Sequence, residues 1–75
     1  MLSYIFTGGT GFVGKNILKA FLKNRNNRIF LLIRKSSFIT PDIRYDQNIN
    51  FFSIEEIKKI LENNQIEGII HLATS

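Results

Sequence analysis

The chain has 75 residues, 44% of them apolar and 21% charged, with a net charge of +4 from ten Lys and Arg against six Asp and Glu. That length holds one domain at most, and the balance excludes a disordered tail, a collagen and a coiled coil. No Cys is present, which excludes disulfides and thiolate metal sites and makes a reducing cytoplasm the expected compartment.

Residues 2–6 alternate weakly and run into Thr7-Gly8-Gly9, which reads as a buried strand ending in a sharp turn. After Gly11 the period becomes helical. Val13, Ile17, Ala20 and Phe21 make an apolar stripe that Leu18 and Leu22 widen, and Lys15, Lys19 and Lys23 form the opposing ridge. Asn26-Asn27 supplies a turn. Residues 29–33 are five apolar residues in succession, suited to a strand covered on both faces. That is the longest apolar run, so no membrane span is expected, and Met1-Leu2-Ser3-Tyr4 carries no charged secretory leader.

Residues 34–48 are polar, include Thr40-Pro41-Asp42, and read as a loop. Residues 49–52 suit a short strand. Ser53 and Glu56 have the spacing of a capping box, with Phe52 against Ile57 as its hydrophobic staple. Ile54, Ile57, Ile60 and Leu61 then share a helical face, and Asn63-Asn64 ends it. Residues 68–72 read as a further buried strand. Strands alternating with helices imply a parallel sheet with right-handed crossovers.

The glycine loop carries the chemistry. Thr7-Gly8-Gly9-Thr10-Gly11-Phe12-Val13-Gly14 lies between a strand and a helix and satisfies G-x-G-x-x-G and G-x-x-G-x-x-G together. An early glycine permits the tight turn, and a bare Gly11 lets the backbone approach a pyrophosphate. Gly14 allows close packing of helix on sheet, and the helix N-terminus favours an anion. The overlapping phosphate-loop pattern G-x-x-x-x-G-K-[ST] fails at its last position, where Asn16 replaces the Mg²⁺-ligating hydroxyl. Triphosphate binding therefore stands as the lesser alternative.

A ribose-binding acid is expected about 20 residues beyond the motif. Arg34 stands there, followed by Lys35, Ser36 and Ser37, and no acid occurs between Gly14 and Asp42. A guanidinium suits a 2′-phosphate, so NADP is expected, with NAD as the alternative. The basic cluster Lys23, Arg25, Arg28, Arg34 and Lys35 has no recognised nucleic-acid module around it, so neither nucleic acid nor membrane is an expected partner.

The glycine motif, taken with Ile69-Ile70-His71-Leu72-Ala73-Thr74, resembles the start of an extended short-chain dehydrogenase/reductase of the NAD(P)-dependent epimerase/dehydratase group. The resemblance spans essentially the whole chain. It implies a Rossmann-type α/β fold: an incomplete parallel sheet of about four strands in the order 3-2-1-4, with two flanking helices. It carries Gly8, Gly11 and Gly14 onto the pyrophosphate loop and gives Phe12 and Val13 backbone N–H roles. Arg34 falls on the cofactor-discriminating position, and Leu72, Ala73 and Thr74 on the strand end lining the adenosine and nicotinamide-ribose side. A nucleotide sugar is the expected substrate class.

Two departures stand out. The family's Asp-apolar pair before the second helix is replaced by Asn50-Phe51-Phe52-Ser53, with Asp46 too early. The Tyr-x-x-x-Lys pair is absent: Tyr4 and Tyr45 are followed four residues on by Gly8 and Ile49. His71, the single His, reads as a packing or capping residue, and no catalytic residue and no metal ligand is assigned. The expectation is that residues 1–75 are the N-terminal part of one NAD(P)-binding domain, inactive alone, of a longer oxidoreductase, epimerase or dehydratase. Small-molecule substrate and any homodimer would belong to that longer form, and residues 68–72 would be a free sheet edge. A non-catalytic dinucleotide sensor of the same fold is the rival reading.

Overall fold

The computed structural model describes residues 1–8, 12–34 and 39–72. Four parallel strands, β1 (Leu2–Thr7), β2 (Asn27–Leu32), β3 (Ile49–Phe52) and β4 (Ile66–His71), form one sheet in the order β3-β2-β1-β4. Helix α1 (Phe12–Leu22) joins β1 to β2, and the one-turn helix α2 (Pro41–Arg44) lies between β2 and β3. A 3₁₀ turn (Ile54–Glu56) leads into α3 (Ile57–Asn63) before β4. This is the Rossmann-like order expected from the resemblance.

Alternation along the strands sends side chains to two cores. On one face Phe6, Ile29, Leu31 and Ile49 pack with Leu18 and Leu22 of α1 and Ile43 of α2. Tyr4 and Phe6 meet Phe21 edge-to-face, with centroids 5.1 Å apart in each pair. On the other face Ile5, Phe30 and Phe52 pack with Ile57 and Ile60 of α3. The apolar run of β2 is thus covered on both sides, as its composition required.

The helix stripes are partly as the sequence implies: Leu18 and Leu22 are buried, and Ile17 and Phe21 pack against the same core. Val13 is 66% exposed and Ala20 is exposed too, while Gly14, Leu18 and Leu22 form the buried line. On the other helix Ile57 and Ile60 pack inward, but Ile54 and Leu61 stay exposed. Before that helix, the Glu56 carboxylate accepts the Ser53 N–H at 3.0 Å and its hydroxyl at 3.1 Å, so the capping box forms. Phe52 and Ile57 share a core as the staple required.

The segment read as a loop contains α2, with Thr40 before it and Pro41 in its first turn. Asp42 at its start is held by Lys19 at 2.7 Å and, more loosely, by Lys15 at 3.9 Å, so part of the lysine ridge of α1 is paired. The hydrogen bond from Lys19, then that from the Thr40 hydroxyl, holds the Asp42 carboxyl far below the usual carboxylate range.

Candidate functional site

In a parallel α/β sheet the chain reverses direction across the sheet at one place, and ligands bind outside the carboxyl ends of the strands there. Here β1 continues through α1 to β2 on one side, and the chain later crosses to β4 on the other. The switch point therefore lies between β1 and β4. Its carboxyl edge carries Thr7 and Gly8 from β1 and His71 and Leu72 from β4.

Gly8 has φ 78°, the left-handed region that costs glycine nothing and a side-chain residue about 1–2 kcal/mol. The chain bends there, and Phe12 is the first residue of α1. The α1 N-terminus thus faces the same sheet edge, with no acidic residue in its first turn to compete for its N–H groups. Gly9, Thr10 and Gly11, at the centre of the motif, lie outside the described residues, as does the Phe12 side chain. Val13 and Gly14 occupy the first turn of α1, Val13 exposed and Gly14 buried.

Arg34 follows β2 at the same carboxyl edge and is exposed. Its neighbours Lys35, Ser36 and Ser37 lie outside the described residues. Leu72 continues β4 by donating its N–H to Thr7 O at 2.8 Å, and it packs partly against the α1 core. Ala73 and Thr74 lie outside the described residues. Gly8, Val13, Gly14, Arg34 and Leu72 are thus on one side of the sheet edge or at the helix start above it.

Asp46 is at the opposite end. It sits in the turn leading into β3, where Arg25 donates to its two oxygens at 3.1 and 3.0 Å. It cannot serve as a displaced adenine-contacting acid. Tyr4 is packed against Phe21, and Tyr45 is solvent-exposed just after α2, so neither supplies a site hydroxyl at the switch point. Among the described residues there is no cluster of three His, Asp or Glu able to hold a metal. Nor is any helix among them long and apolar enough to cross a membrane.

One contact went unread in the sequence. The side chains of Thr7 and His71 are hydrogen-bonded, hydroxyl to Nδ1, across the β1–β4 junction. The signal was present only as two polar residues at two strand ends, 64 positions apart.

A family model of NAD-binding proteins, described as male sterility protein, matches residues 6–73. Oxidoreductase swnN of Metarhizium robertsii is 31% identical over 71 residues, which are 93% of this chain and 21% of that protein. Among solved structures, dTDP-glucose 4,6-dehydratase from Bacillus anthracis, in complex with NAD, superposes on 100% of the chain with TM-score 0.80 at 19% identity. The match takes in 27% of that enzyme's chain. A short-chain dehydrogenase family protein from Francisella tularensis matches 97% of the chain with TM-score 0.72 at 25% identity, over 31% of its own length. A thiolation-reductase di-domain from an archaeal non-ribosomal peptide synthetase matches 99% with TM-score 0.71 at 24% identity, over 25% of its own length. The chain spans about a fifth to a third of the length of these relatives.

Proposed function

Because the chain belongs to the male sterility protein family of NAD-binding domains within the short-chain dehydrogenase/reductases, we propose that its switch-point edge binds the pyrophosphate of NADP for a longer reductase or dehydratase. The observation that carries this reading is Gly8 at φ 78° between β1 and the N-terminus of α1. That backbone turns the chain so that helical N–H groups and the helix dipole face the place where two phosphates would sit.

The donor set fits a dinucleotide. Gly8, Gly11 and Gly14 keep side chains away from the phosphates, and the backbone N–H groups of Phe12 and Val13 donate to them. Gly14 is buried in the first turn of α1. On this reading Leu72, Ala73 and Thr74 contact the other side of the dinucleotide. Arg34 reads the 2′-phosphate. When bound, the nicotinamide supplies hydride transfer. These residues contribute binding and orientation only, and the acid/base chemistry belongs to parts of the protein outside this chain.

Residues 1–75 are on this reading the N-terminal part of one dinucleotide-binding domain, inactive alone. A nucleotide sugar is the proposed substrate class, in line with the fold shared with dTDP-glucose 4,6-dehydratase, and the fold shared with a thiolation-reductase di-domain keeps a reductase as the alternative. Gly11→Val tests the core of the proposal. Titration calorimetry on the intact protein is expected to show dinucleotide binding lost while the melting curve is kept. Unchanged affinity would remove the pyrophosphate role.

A further inference from the structure

We propose that Thr7 and His71 form a clip that positions the glycine loop, so that an imidazole on β4 governs dinucleotide affinity without touching the dinucleotide. The inference rests on the dinucleotide reading above and adds a residue pair to it.

The pair is produced by an irregularity in the sheet. At the start of β1 the register matches Ser3 with Ile66, but Tyr4 then matches Gly68, leaving Glu67 as an extra residue. From there Ile5 opposes Ile69, Phe6 opposes Ile70, and Thr7 opposes His71. Without the extra residue, Thr7 would face Ile70, an apolar side chain that belongs to the α1 core. The bulge thus delivers a hydrogen-bonding ring to the one hydroxyl at the end of β1.

The position of that hydroxyl gives the contact its consequence. Thr7 is the last residue of β1, and Gly8, with its left-handed φ, follows directly. The direction in which the loop leaves the sheet is set by the Thr7 backbone. Leu72 N–H to Thr7 O at 2.8 Å and the side-chain bond to His71 both help to hold it. With the ring proton on Nε2, the Thr7 hydroxyl donates to Nδ1, and the hydroxyl is fixed in one rotamer. Both side chains lie at the exposed carboxyl edge of the sheet, where water competes for each of them. The bond therefore adds little to overall stability. Its effect falls on the loop that begins one residue later.

The test separates a positioning role from a structural one. Dinucleotide affinity and melting temperature are measured on the intact protein for Thr7→Val, Thr7→Ser, His71→Phe, His71→Asn and the Thr7→Val/His71→Phe double variant. NAD and NADP are the titrants. Thr7→Val and His71→Phe are each expected to weaken binding about tenfold, roughly 1.4 kcal/mol. Melting should stay within about 2 °C of the unaltered protein. Thr7→Ser keeps the hydroxyl, His71→Asn keeps an acceptor at the δ position, and both should bind nearly as well as the original. The double variant should be no weaker than either single one, because both remove one bond. Unchanged affinity in Thr7→Val, a loss that follows melting, or additive losses would overturn the clip alone. An unaltered protein that binds neither dinucleotide would overturn the parent reading and the clip with it.

Discussion

Arg25 and Asp46 meet in a two-point ion pair at the amino edge of the sheet, with Arg25 donating at 3.1 and 3.0 Å. The contact joins the turn before β2 to the turn before β3. Asp46 also accepts the Asn48 N–H at 2.8 Å, and Asn48 donates its side-chain amide to Arg25 O and Asn27 O. A loop-to-loop tie of this kind fixes two adjacent strand starts, well away from the glycine turn. Asp46→Asn is expected to lower stability by about 1 kcal/mol, or roughly 5 °C of melting temperature in a domain this small, with dinucleotide affinity unchanged. Thermal melts beside calorimetric titration check it.

Acid should act through the same carboxylates. The hydrogen bond from Arg25 holds Asp46 below the ordinary carboxylate range, and the one from Lys19 does the same to Asp42. A carboxyl whose folded value is lowered contributes fully above its unfolded value, near 4, and loses the contribution as pH falls through the folded one. Urea midpoints are therefore expected to be flat from about pH 7 to 5 and to fall below about pH 4. The Asp46→Asn variant should show a shallower fall. A midpoint that rises on acidification would contradict both pairs.

Leu18 is fully buried at the centre of the α1 face. Leu18→Ala is expected to cost about 2–4 kcal/mol, a large share of the roughly 4–11 kcal/mol that a domain of this size has. Val13→Ala, on the same helix but exposed, should shift the melt by less than about 0.5 kcal/mol. The reverse ranking would put the packed stripe back on Val13.

That contrast shows what the sequence could carry. The β2 strand was legible because a run of five apolar residues has one stable use in a parallel sheet. The α1 stripe was legible at Ile17, Leu18, Phe21 and Leu22, which all pack on the core, and misread at Val13 and Ala20, which face solvent, because a hydropathy pattern scores Val and Ala as apolar and passes over the buried Gly14. Helix α2 was missed because one turn has no period, although Thr40-Pro41-Asp42 is a helix-start pattern. Local spacing alone marked a turn after β1 and a helix beyond it, and the structure has Gly8 at positive φ and α1 starting at Phe12. The Thr7–His71 contact was not legible, because it depends on a one-residue bulge opposite Ser3 and Tyr4 that no local pattern announces.

Strand β4 forms one edge of the described sheet, and Ile69 on it is 58% exposed. An open strand edge beside an exposed β-branched side chain is a template for pairing with another chain. The 75-residue chain alone is expected to self-associate at micromolar concentration, and Ile69→Lys should reduce that association with little change in the melt. Sedimentation velocity across a dilution series reads it. A monomer at every concentration would show that the edge is harmless.

On the proposed reading, cofactor choice turns on Arg34, exposed where the chain leaves β2 at the carboxyl edge. An acid at this position would accept hydrogen bonds from the ribose hydroxyls and repel a 2′-phosphate. No Asp or Glu lies within seven residues of Arg34, so no small shift of the backbone brings one in. A guanidinium can meet a phosphate with two parallel donors, a contact worth about 1.5–3 kcal/mol, or roughly ten- to a hundredfold in affinity. The intact protein is expected to bind NADP more tightly than NAD by about that factor at low salt, and the gap should narrow as salt rises, because the site is exposed to counter-ions. Arg34→Asp should reverse the preference. It removes the phosphate contact and supplies the missing acceptor, so NADP affinity falls while NAD affinity holds or improves. Arg34→Lys keeps the charge without the fork, and an intermediate preference is expected. Titrations of both dinucleotides at one fixed salt concentration decide the matter. Equal affinities in the unaltered protein that stay equal in Arg34→Asp would assign the discrimination to other residues.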